Sequence, residues 1–149
     1  MNYELEVIMA ITQLSVFLMN EPGALVDAVR SLSEANINIR AMSIAEANDF
    51  GILRIIVSDT DAACKLLGEK YLFSKTEVVA AQMSDRSGAL YPILVVLNEA
   101  NINIEYMYAF TGSGTEEAYV VFRVNDVKLA EEVLKANGIP TLSDESLEL

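Results

Sequence analysis

The chain has no histidine, a single cysteine and only 10 basic residues against 22 acidic ones. Each shortage removes a class of function. Without histidine the commonest general acid–base group is missing, and Ser15, Ser43, Ser58 and Cys64 have no evident base to activate them as nucleophiles. One cysteine, Cys64, cannot form a disulfide within the chain, which fits a reducing cytoplasm. A metal-carrying fold needs paired cysteines or histidines near a loop, so neither a metal nor a cofactor is expected. The net charge of −12 repels phosphate backbones and anionic lipid, which argues against nucleic acid and membrane surfaces as partners. Val7 to Ile11 is too short an apolar run for a signal-peptide core or a membrane span, and the Met1-Asn2-Tyr3-Glu4-Leu5-Glu6 start is acidic where a signal peptide is basic. No targeting segment is therefore expected. The carboxylate pairs Asp59/Asp61 and Glu116/Glu117 read as a helix cap and a solvated turn, and no catalysis is expected.

What the chain does have is one stretch written twice. Glu34-Ala35-Asn36-Ile37-Asn38-Ile39 returns as Glu99-Ala100-Asn101-Ile102-Asn103-Ile104, about 65 residues on, which marks an internal duplication. Gly23-Ala24-Leu25 is matched by Gly88-Ala89-Leu90, Leu32 by Leu97 and Met42 by Met107; further on the second copy gains two residues, and Ser58-Asp59 aligns with Asn125-Asp126. Two domains follow, residues 12–75 and 76–143. Each is near the size at which a lone core is marginal, so shared buried surface is expected.

Within each copy the order of patterns is the same. An apolar stretch, Gln13 to Met19, precedes a break at Asn20-Glu21-Pro22-Gly23, where a helix is expected to start with Asn20 as its cap. Leu25, Val29 and Leu32 then form one core-facing stripe, ended near Ala35-Asn36. Strands are expected at Ile37 to Glu46 and Gly51 to Ser58, joined by Asn48-Asp49. A helix capped by the Asp59 region runs to Gly68, and Tyr71 to Met83 reads as one strand joining the halves. In the second copy a helix through Leu90, Leu94 and Leu97 opens after Asp85-Arg86-Ser87-Gly88. Strands follow at Ile102 to Phe110 and Ala118 to Val124, joined by Thr111-Gly112-Ser113-Gly114-Thr115. Asp126 caps a helix from Val127 to Ala136, Ile139 to Leu142 reads as a last short strand, and the acidic tail from Ser143 frays. The fold class is α+β, two ferredoxin-like βαββαβ units, each an antiparallel sheet with helices on one face.

That topology hosts many functions. Tyr106, Tyr108 and Phe110 alternate on one strand as in an RNA-recognition module, but the basic residues are missing and the first copy has Ala41, Ser43 and Ala45 there, so they read as core or interface aromatics. The strand-to-helix loop is the remaining motif. A glycine entering a helix permits close backbone approach, free N–H groups favour a carboxylate, and Asn20 or Asp85 can accept from an ammonium group.

The pattern Asn/Asp-x-x-Gly-Ala-Leu, an amphipathic helix and then Ala-Asn-Ile-Asn-Ile resembles the ACT domain, present twice and covering nearly the whole chain. It is similar to small stand-alone bacterial and archaeal proteins made of two ACT domains, and Asp49-Phe50-Gly51-Ile52-Leu53-Arg54 resembles a stretch typical of them. The resemblance implies a non-catalytic regulatory module that holds a free amino acid at interfaces between ACT domains. The ligand-binding residues it implies are Asn20, Gly23, Ala24 and Leu25 with Asn38 and Ile39, and in the second copy Asp85, Gly88, Ala89 and Leu90 with Asn103 and Ile104. The asparagines before the Ile-x-x run, Asn38 and Asn103, would contact ligand from a neighbouring domain. The alternative is a dimerisation or protein-interaction module with vestigial ligand sites. A separately encoded enzyme or regulator is the expected partner. Leu18, Met42 and Phe50 near the loop favour an apolar or aromatic amino acid, and Asp85 for Asn20 makes the two sites unequal. A homo-oligomer is also expected. Where the first helix carries Asp27, Arg30, Ser31 and Glu34, an ordinary solvated face, the matching helix carries Tyr91, Pro92, Val95, Val96 and Glu99, which calls for a covering surface.

Overall fold

The structure, a computed structural model, describes residues 10–111 and 117–143. The readings made for residues 1–9, for the second copy's hairpin loop at 112–115 with Glu116 and the Glu117 side chain, and for the tail beyond Ser143 lie outside the described residues. Along the chain come β1 (Ile11–Met19), α1 (Ala24–Glu34), β2 (Ile39–Ala47), β3 (Phe50–Val57), α2 (Thr60–Gly68), β4 (Phe73–Ser84), α3 (Leu90–Glu99), β5 (Ile104–Thr111), β6 (Glu117–Val124) and α4 (Val127–Ala136). Contacts group these into two compact units, Thr12–Thr76 and residues 77–143 with Ala10 and Ile11. β4, a strand of 12 residues, contains the division.

In the first unit the sheet order is β2-β3-β1, all antiparallel. Phe50 lies opposite both Met19 and Ala47, and Val57 lies opposite Ile39. This register sets the β1–α1 loop and the β2–β3 turn at one end of the sheet and the α1–β2 joint at the other. In the second unit β6 lies between β4 and β5, with Met83 opposite Ala118 and Ile104 opposite Val124. The expected last strand is only a bridge: Ala81 pairs with Thr141, Gln82 N–H donates to Pro140 O at 2.9 Å, and Leu142 N–H donates to Ala80 O at 2.9 Å. Pro140 has no N–H to extend the ladder.

Alternating strand residues and one stripe of each helix make the cores. Leu14, Val16, Leu18, Leu53, Ile55 and Val57 pack on Ala28, Leu32, Ala63 and Leu67. Val79, Ala81, Val120, Phe122 and Val124 pack on Ile93, Leu97, Ala130 and Leu134. Each large aliphatic or aromatic side chain buried in this way is worth roughly 1.5–3 kcal/mol. The helix stripes are rotated from the expected ones: Ala28 and Ile93 are buried, whereas Val29 and Leu94 are half-buried. Ala28 is small and still takes the core position, a choice that hydrophobicity alone does not reveal. Asp59 and Asp126 cap α2 and α4 as expected, accepting from Ala62 N–H at 3.1 Å and Leu129 N–H at 3.0 Å.

The duplicated hexapeptide is a helix-to-strand joint. Asn36 and Asn101 take left-handed backbone with φ 61 and 58. Asn36 N–H then donates to Ser33 O at 3.0 Å and Ile37 N–H to Leu32 O at 3.0 Å; Asn101 and Ile102 repeat this on Asn98 and Leu97 at 2.9 and 3.0 Å. These paired bonds close the last turn as a Schellman motif, with buried Ile37 and Ile102 dropped onto Leu32 and Leu97. The strands therefore begin at Ile39 and Ile104, two residues later than the apolar pattern suggests, and a bulge follows each before Ala41 and Tyr106. Asparagine tolerates this conformation where a β-branched residue does not, the left-handed form costing an ordinary L-residue about 1–2 kcal/mol. Asn36→Val and Asn101→Val are each expected to lower unfolding free energy by about that amount, whereas Asn36→Gly changes it by only a few tenths. Urea denaturation of the three variants measures this, and a valine variant as stable as the wild type overturns the role assigned to the joint.

Candidate functional site

The two strand-to-helix loops share one conformation. Glu21 N–H donates to Met19 O and Arg86 N–H to Ser84 O, both at 2.9 Å; Ala24 N–H donates to Glu21 O at 3.4 Å and Ala89 N–H to Arg86 O at 3.3 Å. Gly23 and Gly88 have φ 93 and 84, and a side chain added at either would meet nothing within 4 Å. The glycines are thus required by backbone angle, and the space above them is open. Asn20 does not cap α1, as it was expected to. The chain needs Gly23 to turn first, so Gly23 holds the cap position of a helix that starts at Ala24, without a side-chain hydrogen bond. Likewise α3 starts at Leu90 behind Ala89, and Asp85 does not cap it.

Asn20, Gly23, Asp85 and Gly88 are exposed, and Ala24, Leu25, Ala89 and Leu90 half-buried, at these loops. Leu25 and Leu90 pack on the cores of their own units. Asn20 N–H is held by Asp49 O at 3.2 Å, at the β2–β3 end of the sheet. Asn38 sits at the opposite end, where its N–H donates to Ser58 Oγ at 3.0 Å and its carbonyl accepts from Ser58 N–H at 2.9 Å. Asn103 N–H is held in the same way by Asn125 Oδ1 at 3.0 Å. The side chains of Asn38 and Asn103 are exposed, and Ile39 and Ile104 turn half-buried toward their cores. The structure therefore does not bring a loop and the asparagine of its own unit together. The span of β2, nine residues at roughly 3.3 Å each, separates them.

Beside the first loop lies a cleft of about 530 Å³ made wholly from residues of the first unit. Gly23 and Ala24 line it, together with Glu21 and Pro22 of the loop, Phe17, Leu18 and Met19 of β1, Phe50 of β3, Asp27 of α1, and Lys70, Tyr71 and Leu72 from the segment between α2 and β4. Met42, expected near the loop, is not in the wall. Phe17 and Phe50 lean together with centroids 5.9 Å apart. Asp27, read from sequence as part of an ordinary solvated face, is the polar centre of the cleft. Its Oδ2 accepts from the Tyr71 hydroxyl and lies 3.5 Å from Lys70 Nζ, and its Oδ1 lies 3.8 Å from Arg30 Nη1. The Tyr71 bond, above all, holds the Asp27 carboxyl below its ordinary value; Lys70 and Arg30 add to this, and desolvation opposes it. Burial first, and then Asp27, push the Tyr71 hydroxyl up to about 12.

Sequence reasoning missed Asp27, Lys70 and Tyr71. The available signal was that the first copy has an acid at the position where the second has Pro92. Cys64 is half-buried and its thiol is pushed up by burial, which keeps it protonated at neutral pH. Among the described residues no group of three or more histidine, cysteine, aspartate or glutamate side chains is placed to hold a metal, and no helix is long and apolar enough to cross a membrane.

Residues 9–149 match the family described as an ACT domain pair. No curated protein matches the chain. A crystal structure of a protein from Bacteroides thetaiotaomicron is similar at 39% identity, covering 94% of this chain and 96% of that one, with a TM-score of 0.87. The ligand-free regulatory subunit of aspartate kinase from Thermus thermophilus shares the fold at 14% identity, 85% and 90% coverage and a TM-score of 0.59. The regulatory subunit of aspartate kinase from Thermus flavus does so at 12% identity, with 86% and 90% coverage and a TM-score of 0.61.

The Tyr71–Asp27 bond has a readable pH dependence. Tyr71 has a folded-state value raised from 10.0 to about 12, so its contribution is whole below pH 10.0 and is lost as pH rises to about 12. Asp27 has a lowered value, so its contribution is present above pH 3.8 and is lost as pH falls through the folded-state value. The wild type is expected to be more stable than Tyr71→Phe at neutral pH, with the two urea midpoints converging at both the acid and the alkaline limit. A pH-independent gap overturns the pairing.

Proposed function

Because the chain belongs to the family of ACT domain pairs, we propose that it is a regulatory module that binds a free amino acid and conveys its occupancy to a separately encoded enzyme or regulator. The observation that supports this most is the loop conformation repeated in both units. Gly23 and Gly88 hold the backbone open, and neither following helix has a side-chain cap on its first N–H groups. Such N–H groups at the positive end of a helix suit a carboxylate, and Asn20 or Asp85 at the loop entry suits an ammonium group. Asn38 and Asn103, far from their own loops, act on ligand held by a loop other than that of their own unit. The location is the cytoplasm, in keeping with a chain that has one unpaired cysteine.

A thermal-shift screen against the free amino acids tests this reading. A ligand at 100 times its dissociation constant is expected to stabilise the fold by about 2.7 kcal/mol, which raises the melting temperature by several degrees. No shift with any of them at millimolar concentration leaves the interaction-module reading in its place. The two sites are unequal under this proposal, because the Asp85 carboxylate pairs with an ammonium group more strongly than the Asn20 amide does. Asp85→Asn and Asn20→Ala should therefore cost different amounts in calorimetry, and equal, additive losses count against it.

One observation also favours self-association. Tyr91 on α3 is 72% exposed beside exposed Pro92, and Val95 is half-buried on the same side. Val96 packs on its own core and is no test of this face. Under this proposal the wild type sediments as a dimer or larger and the Tyr91→Ser, Val95→Arg variant as a smaller species. A monomeric wild type, or an unchanged variant, overturns it.

A further inference from the structure

The cleft of the first unit carries more information than the shared loop. Small-molecule sites occupy roughly 300–1,000 Å³ and combine apolar walls with a few converging polar groups, and this cleft, at about 530 Å³, does both. Its walls expose large apolar side chains with no cover: Phe17 at 39%, Met19 at 62%, Phe50 at 38% and Leu72 at 80%. Its polar centre holds opposite charges side by side, Asp27 and Lys70 with 3.5 Å between Oδ2 and Nζ. Were the pair only a brace between α1 and the chain leaving α2, it would contribute little, because half-exposed ion pairs are worth about 0–1 kcal/mol, and the apolar wall beside it would have no purpose. Tyr71 spends its one O–H on Asp27, which fixes the carboxylate as an acceptor with lone pairs to spare. Lys70 is 61% exposed and presents further N–H donors.

The second unit lacks this arrangement while sharing the loop. Pro92 stands at the position of Asp27, as far beyond Gly88 as Asp27 is beyond Gly23. Phe17 N–H bonds Leu72 O at 3.0 Å where Gln82 N–H bonds Pro140 O at 2.9 Å. By that equivalence Phe17, Tyr71 and Leu72 are replaced by Gln82, Ile139 and Pro140.

We propose that the first-unit cleft is a selective site for a zwitterionic amino acid with a large aliphatic or aromatic side chain. In the first unit Asp27 adds to the loop's hold on the ammonium group, Lys70 adds to the helix-start N–H groups on the carboxylate, and Phe17, Phe50 and Leu72 receive the side chain; the second unit keeps the loop but has none of these added contacts. This rests on the amino-acid reading above and adds to it a side-chain class that the first unit selects.

Calorimetry on the full chain tests it with L-leucine, L-phenylalanine and L-aspartate, and with 3-phenylpropionate and phenethylamine, which lack the ammonium and the carboxylate respectively. L-Leucine or L-phenylalanine is expected to bind the first-unit cleft, with each truncated analogue weaker there by about tenfold or more. Lys70→Met and Leu72→Asp alter exposed side chains, so they should fold as the wild type does and still bind about tenfold more weakly. Asp27→Asn should do the same, its folding checked by circular dichroism. If an amino acid binds the wild type and binds Lys70→Met and Leu72→Asp equally well, the cleft is wrong and the regulatory reading stands. Uptake of L-aspartate in preference to the apolar amino acids overturns the side-chain assignment alone. No uptake of any amino acid overturns both readings.

Discussion

The hydrogen bond from Ile37 N–H to the Leu32 carbonyl, repeated by Ile102 on Leu97, is the constraint from which each unit is built. It ends a helix and aims the chain back along the sheet within two residues, and it buries an isoleucine as it does so. Left-handed Asn36 and Asn101 make that turn possible. Once the turn is made, the antiparallel register follows: β2 must run back beside β3, with Ile39 opposite Val57 and Ala47 opposite Phe50. Which loops share an end of the sheet is then decided. The glycine loop and the β2–β3 turn stand together, tied by Asn20 N–H to Asp49 O, and Asn38 stands at the far end. The duplicated hexapeptide is thus first an architectural device. Any ligand role of its second asparagine is laid over a backbone that Ser58 or Asn125 already holds.

Features whose chemistry is local were legible in the sequence. Asp59 and Asp126 announce helices because a carboxylate two or three residues ahead of free N–H groups is itself the cap, and α4 begins and ends where that cap and Asn137-Gly138 place it. The start of α1 was not legible. Asn20, Glu21 and Pro22 are all good first-turn residues, but the chain leaving β1 has to reverse before it can coil, and Gly23 at φ 93 makes that reversal. The strand starts at Ile39 and Ile104 were obscured by Ile37 and Ile102, whose apolar character serves the helix end and not the strand. The polar centre of the cleft was illegible for a different reason. Asp27 and Tyr71 are 44 residues apart, so no window on the sequence contains both.

Duplication explains why one copy can hold a specialised cleft. Both copies keep what the fold demands: the glycine, the joint, the cap and the alternating core. They differ where the fold is indifferent. A position in the first turn of the helix carries Asp27 in one copy and Pro92 in the other, and proline is tolerated there because the first turn of a helix has no intrahelical partner for its N–H. The difference is therefore nearly neutral for α3, yet it leaves the second copy without the carboxylate that Asp27 supplies in the first. The outer face of α3 has become apolar over the same stretch, with Tyr91 exposed. Under the proposals made above, recognition chemistry is strongest in one copy and exposed apolar surface in the other.

Charge gives that division its selectivity. A chain with net charge −12 repels anions on approach, but at physiological salt the field fades over about 8 Å. What decides binding at contact is the local set, and the charged groups that line the cleft are Lys70 on one side and Asp27 and Glu21 on the other. A simple anion is disfavoured on the way in and finds Asp27 in its path. A simple cation is drawn in but meets Lys70. A zwitterion carries no net charge to be repelled, and it satisfies both groups at once, provided its two charges are separated by about the distance that separates theirs. The 3.5 Å between Asp27 Oδ2 and Lys70 Nζ is short enough for the two groups to address neighbouring charges on one small molecule. Since Phe17, Phe50 and Leu72 make one side of the wall apolar, a side chain that extends from that zwitterion into the space beside them gains most when it brings apolar surface of its own.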